Sequence, residues 1–113
     1  MLIVNVLKLS DDNYNEHTST GLTLVDIKAE WCRPCLVLSP IIDELSDEYR
    51  DKVVFGKLDA DDNSEKIKEL GVRNIPTILL YKDGEIVERS VGMVSKIQLK
   101  ELIDKHLQVE NNQ

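Results

Sequence analysis

Short apolar runs alternate with segments of helical period along the chain, and the alternation predicts five strands and four helices. Leu2 to Leu7 reads as a first strand, Ser10 to about Glu16 as a short helix with Asp11 and Asp12 in its first turn, and Leu22 to Ile27 as a largely apolar strand. After Trp31-Cys32-Arg33-Pro34-Cys35 comes a helix with two apolar stripes, Val37, Ile41, Leu45 and Leu38, Ile42, Tyr49, which imply contact on two sides. Pro40 inside it removes an amide donor and should kink the axis. Val53 to Leu58 is a third strand, and a helix from about Asn63 to Leu70 stops at Gly71, a residue suited to the left-handed C′ position. Ile75 to Tyr81 and Glu85 to Val91 form a hairpin around Asp83-Gly84, because a type I′ turn needs positive φ at its two central residues. The last helix opens with a capping box, Ser95 and Gln98, and a staple, Val94 and Leu99; its buried stripe is Leu99, Leu102, Ile103 and Leu107. The order implies parallel crossovers in the first half and an antiparallel pair in the second: an α/β fold with a central mixed five-stranded sheet and helices on both faces.

Length narrows this to one domain over residues 1–113, which at this size buries about two thirds of its unfolded surface in a single core. Only Asn13 to Gly21 and the tail Glu110 to Gln113 read as frayed. Fourteen basic against 21 acidic residues leave a net charge of −7, which argues against binding nucleic-acid phosphates or anionic membranes and for protein or small-molecule partners. No run approaches the roughly 18 to 20 apolar residues of a membrane span. Met1 to Leu7 lacks the basic flank of an export signal, so the expected compartment is the reducing cytoplasm. There two cysteines are too few for a disulfide scaffold, and a close pair is more often redox-active or metal-binding.

Cys32 and Cys35 are three apart at a helix start, where neighbours of that spacing lie about 5 to 6 Å apart between Cβ atoms, close to what a disulfide accepts. Pro34 suits the first helical turn, where its missing amide costs nothing. Cys32 then falls near the N-cap, beside unpaired amides and the positive end of the helix dipole, which favour its thiolate. Cys35, a turn further in, should be the more buried and less acidic, dividing the pair into an attacking and a resolving thiol. A structural metal would need about four ligands, and His17 and His106, read as surface residues, are not spaced to complete a set. Covalent haem attachment would need His where Leu36 stands. Without a Gly-x-Gly-x-x-Gly stretch, no nucleotide cofactor is expected, nor any other. Two ordinary core cysteines remain the inert alternative.

Taken together, Val25-Asp26, Ala29-Glu30-Trp31-Cys32-Arg33-Pro34-Cys35, Pro40, Ile75-Pro76-Thr77, Lys82-Asp83-Gly84 and Val91-Gly92 resemble the thioredoxin family from end to end. The resemblance implies a thioredoxin fold and a protein-disulfide reductase: Cys32 attacks a substrate disulfide and Cys35 resolves the mixed disulfide. It implies that Asp26 is a desolvated carboxyl of raised pKa that takes the Cys35 proton, with Lys57 near it; a polar strand end and a solvated lysine are the alternatives. It further implies a docking surface of Trp31, Arg33, Pro34, Ile75, Pro76 and Gly92, with Pro76 cis and the backbone at Ile75 pairing an extended substrate. Against this, Trp31 could be core packing and Gly92 a strand end. The implied partners are protein disulfides and a flavoprotein thioredoxin reductase, the chain itself acting as a monomer.

Three positions depart from the family pattern: Arg33 replaces the usual Gly, Lys28 the usual aromatic and Leu36 the usual Lys. Arg33 and Lys28 bring positive charge toward Cys32, favouring its thiolate and a more oxidising couple, and Arg33 should prefer acidic partners. Asp59, Asp61, Asp62 and Glu65 read as a solvated acidic face. A thiol oxidase or isomerase and a non-catalytic binding module of the same fold are the competing functions.

Overall fold

The computed structural model describes residues 1–111, with side chains through Leu107. Its elements in order are β1 (Val6–Leu9), α1 (Tyr14–Thr18), β2 (Leu22–Lys28), α2 (Arg33–Glu48), β3 (Val54–Asp59), α3 (Ser64–Leu70), β4 (Thr77–Lys82), β5 (Glu85–Val91) and α4 (Lys96–Asn111). They form one mixed sheet of order β1-β3-β2-β4-β5. β3 is parallel to both β1 and β2, whereas β4 is antiparallel to β2 and to β5. The mixed sheet expected from the hydrophobic pattern is present, and β4 already runs antiparallel to β2 before the hairpin begins.

Alternation along the strands builds two cores. Leu22 and Leu24 of β2, Phe55 of β3, and Ile78 and Leu80 of β4 pack under α2 and α4 through Leu38, Ile42, Leu45, Leu99 and Ile103. The opposite face holds Leu9, Val25, Ile27, Leu58, Leu79 and Tyr81 against Tyr14 of α1 and Ile67 and Leu70 of α3. β2 lies at the centre and buries both faces, so it carries an apolar run rather than an alternating one. By the same alternation, Asp26 and Lys57 project toward α2.

Several local expectations differ. β1 starts at Val6 and continues to Leu9, because its pairing with β3 runs from Val6–Phe55 to Leu9–Leu58; Leu2, Ile3 and Val4 lie before that register and are exposed. The first helix begins at Tyr14 rather than Ser10. Ser10 instead closes a turn with Asn13, donating its amide to Asn13 Oδ1 at 2.7 Å. The stretch 13–21, expected to fray, contains that helix and is anchored by buried Tyr14, whose hydroxyl lies 2.7 Å from that of Tyr81. β3 starts one residue later than expected, and β4 begins only after Pro76. One stripe of α2, Leu38, Ile42, Leu45 and Tyr49, is buried; Ile41 is half-buried and Val37 is exposed, so two-sided burial does not hold. α2 needs only one apolar face, since Val37 and its neighbours Leu36 and Pro40 are open to solvent among the described residues.

Other signals appear as written. Asp83 and Gly84 both have positive φ (49° and 88°), Gly71 ends α3 at φ 68°, and Ser95 and Gln98 exchange both capping-box hydrogen bonds at 3.0 and 3.1 Å. Of the tail expected to fray, residues 110 and 111 belong to the end of α4; 112 and 113 lie outside the described residues. Among the described residues no helix is long and apolar enough to cross a membrane.

Candidate active site

β2 ends beneath the start of α2, and the turn between them carries the two cysteines. Cys32 is the N-cap of α2, with extended backbone, Arg33 and Pro34 open the first turn, and Cys35 lies at the third helical position. Pro34 takes one of the places where a helix has no use for an amide hydrogen. Cys32 Sγ accepts a hydrogen bond from the Cys35 amide at 3.3 Å, so one unpaired amide of the helix end is spent on the sulfur. The cysteines are joined as a disulfide with their Cα atoms 5.2 Å apart. Both are more enclosed than a turn and a proline would suggest, 4% exposed for Cys32 and 2% for Cys35, because Ala29 and Ile75 pack around them. The expected difference in burial is therefore small in the disulfide form. The two sulfurs differ in their place at the helix end and in the Cys35 amide hydrogen bond that Cys32 Sγ accepts.

A rim of exposed groups surrounds this pair. Trp31 is 71% exposed, which removes the core-packing alternative, and its indole Nε1–H donates to Asp61 Oδ2 at 2.8 Å. Arg33, Pro34 and Leu36 are exposed on the first turn of α2. On the other side of the disulfide the Ile75–Pro76 peptide is cis, Pro76 is buried and Ile75 contacts the cysteine cluster. The Pro76 carbonyl accepts the Gly92 amide at 2.8 Å, bringing the end of β5 beside it. Gly92 has φ 88° and a Cβ built there would meet nothing, so its glycine answers a backbone requirement next to open space.

Asp26 lies within the layer beneath α2, fully buried, and neither carboxylate oxygen has a hydrogen-bond partner among the described residues. Burial pushes its pKa up to about 6, while the Lys57 and Lys28 charges pull it down and Asp43 pushes it up less strongly. Lys57 is its neighbour in register on β3, yet the Lys57 ammonium is bonded to Ser39 Oγ at 2.7 Å and Asp43 Oδ1 at 2.9 Å on α2. The solvated-lysine alternative for Lys57 fails, because this half-buried group is committed to two partners.

Sequence reasoning missed Asp61, Ser39 and Asp43. Asp61 belonged to a run read as a solvated face, and nothing in the sequence links it to a tryptophan 30 positions away. Ser39 and Asp43 are one helical turn apart, a spacing that signals a shared face but not which lysine it meets. Of the two cations expected near Cys32, Lys28 pairs with Asp59 at 3.7 Å, and Arg33 is the first residue of α2, next to Cys32 in sequence. Both histidines are half-buried rather than on the surface, and His106 Nε2 lies 2.7 Å from Glu88 Oε2.

Comparison with known proteins bears on the whole of this arrangement. The sequence model of the family described as Thioredoxin matches residues 5–105. The thioredoxin of Bacillus subtilis (strain 168) is 44% identical over 102 residues, spanning 90% of this chain and 98% of that protein. The thioredoxin of Buchnera aphidicola subsp. Acyrthosiphon pisum is 40% identical over 104 residues, 90% of this chain and 96% of that one. The thioredoxin of Staphylococcus haemolyticus is 40% identical over 102 residues, with 90% and 98% covered.

Proposed function

The chain belongs to the thioredoxin family, and from that premise we propose that it is a protein-disulfide reductase working by dithiol–disulfide exchange through Cys32 and Cys35. The observation that carries this reading is the closed Cys32–Cys35 bond at the N-terminus of α2, beside an exposed Trp31 and the Ile75–Pro76 segment. In the reduced protein, Cys32 as thiolate attacks one sulfur of a substrate disulfide; the other substrate sulfur leaves as a thiolate and takes a proton from water. Cys35 then gives its proton to Asp26 and attacks Cys32 Sγ, the second substrate thiolate departs, and the protein is left in the disulfide form described above. Two electrons have passed from the protein dithiol to the substrate.

The buried and exposed residues of the site each have a part in this scheme. The α2 N-terminus and Arg33 stabilise the attacking thiolate. With its pKa about 6, Asp26 is mostly ionised at pH 7 and serves as the proton acceptor. Trp31, Arg33, Pro34, Ile75, Pro76 and Gly92 receive the substrate, whose extended chain pairs with the backbone at Ile75. Protein disulfides are the substrate class, and a flavoprotein thioredoxin reductase in the cytoplasm restores the dithiol. The comparisons favour neither the oxidase or isomerase reading nor that of a non-catalytic module.

Insulin-type disulfide reduction with dithiothreitol as the electron source tests the proposal. Wild type accelerates it, Cys32→Ser does not, and Cys35→Ser accumulates a mixed disulfide visible by non-reducing mass analysis. Equal rates with and without the protein would overturn the reading.

A further inference from the structure

Asp26 and Lys57 are lateral neighbours on adjacent parallel strands and project toward the same helix. A buried carboxylate with a lysine as its lateral neighbour would ordinarily take the ammonium as its partner, since an unpaired buried charge is costly. That pairing is absent here. The Lys57 ammonium is instead drawn to Asp43 Oδ1 (2.9 Å) and Ser39 Oγ (2.7 Å), while both Asp26 oxygens are without a hydrogen bond among the described residues. Ser39 and Asp43 stand one turn apart on α2, so together they hold the lysine from one face of the helix. Lys57 and Asp43 also border a cavity of about 510 Å³ that reaches Lys28, Asp59 and Glu30, whereas Asp26 has no surface of its own.

We propose that Ser39 and Asp43 are positioning residues that set the proton affinity of Asp26 by keeping the Lys57 ammonium on α2 and off the orphaned carboxyl. The inference rests, for its part in turnover, on the reading of Asp26 as acceptor of the Cys35 proton. The charged groups around Asp26 are Lys57 from β3, Asp43 from α2 and Lys28 from its own strand, the last held by Asp59; β4 presents apolar Ile78, and α4 contributes apolar Leu99 and Ile103 to this core. Lys57 turned toward Asp26 would favour the carboxylate and make it a weaker base. With Asp43 holding the lysine, burial remains the largest influence, and the carboxyl sits where it can both take and release a proton near neutrality.

The test follows the Asp26 carboxyl directly, by ¹³C NMR titration of the oxidised protein, alongside the pH profile of insulin reduction. In Asp43→Asn the Asp26 midpoint should fall by about one pH unit, the low end of what a charge a few ångströms away produces. Ser39→Ala should move it the same way by less. In a Lys57→Met background the effect of Asp43→Asn should shrink to less than half, because the lysine that transmits it is gone. An unmoved midpoint in both Asp43→Asn and Ser39→Ala would overturn the proposal, as would an equal fall with and without Lys57. The acidic limb of turnover should move with the midpoint. A shifted carboxyl with an unshifted limb would uphold the positioning role and refute Asp26 as the proton acceptor.

Discussion

Replacing Asp26 by Asn should stabilise the oxidised protein above neutral pH and leave its stability nearly unchanged in acid. The carboxyl is fully buried with both oxygens unpartnered among the described residues, and its pKa is pushed from 3.8 to about 6, first of all by burial. Between these values the native state holds a proton that the unfolded chain has released. Stability therefore falls as pH rises through the window and is lowest, on this account, once pH exceeds about 6. At about 1.36 kcal/mol per pH unit, the span from 3.8 to about 6 corresponds to about 3 kcal/mol. Asn keeps the shape and the unsatisfied polar group but cannot ionise, so the comparison isolates the charge. Urea denaturation of the two oxidised proteins at pH 8 should separate their stabilities by up to about 3 kcal/mol, or about 1 to 3 M in midpoint for a slope of roughly 1 to 3 kcal/mol/M. Near pH 3.5 the difference should nearly vanish. A gain of the same size at both pH values would refute the reasoning, because it would come from packing and not from a buried charge; no gain at pH 8 would show that the carboxylate is not destabilised in the fold.

Two further perturbations address the thiolate and the sheet. Arg33→Gly removes the cation at the first position of α2, and an exposed charge there is worth about 0.3 to 1 kcal/mol; the glutathione equilibrium should shift the couple about 6 to 20 mV more negative, and an unchanged or less negative value would exclude Arg33 as a tuning group. Gly56→Ala would place a Cβ 2.6 Å from Leu9 Cδ1 between β1 and β3, which should cost about 1 to 3 kcal/mol in chemical denaturation, whereas a loss below about 0.5 kcal/mol would mean that Leu9 rotates away freely.

Much of the fold was legible because its signals are local. The hairpin turn at Asp83-Gly84, the stop at Gly71 and the capping box at Ser95 depend on a few consecutive residues and appear as the sequence implies. Errors arose where an element's extent depends on a distant partner: β1 begins where β3 can pair with it, and Tyr14 is ordered by Tyr81, 67 positions away.

The cysteine pair follows the same division. Spacing and Pro34 were enough to predict a closable pair at a helix start, because backbone geometry over four residues determines it. Which carboxylate holds Trp31, which groups hold Lys57, and how much of the charge on Lys28 is left for Cys32 were decided only by tertiary packing. The physical reason is range. Helix ends, turns and apolar periodicity are set by neighbours along the chain, whereas burial of Asp26 and the direction of the Lys57 ammonium depend on strands and a helix that come together only in the folded protein.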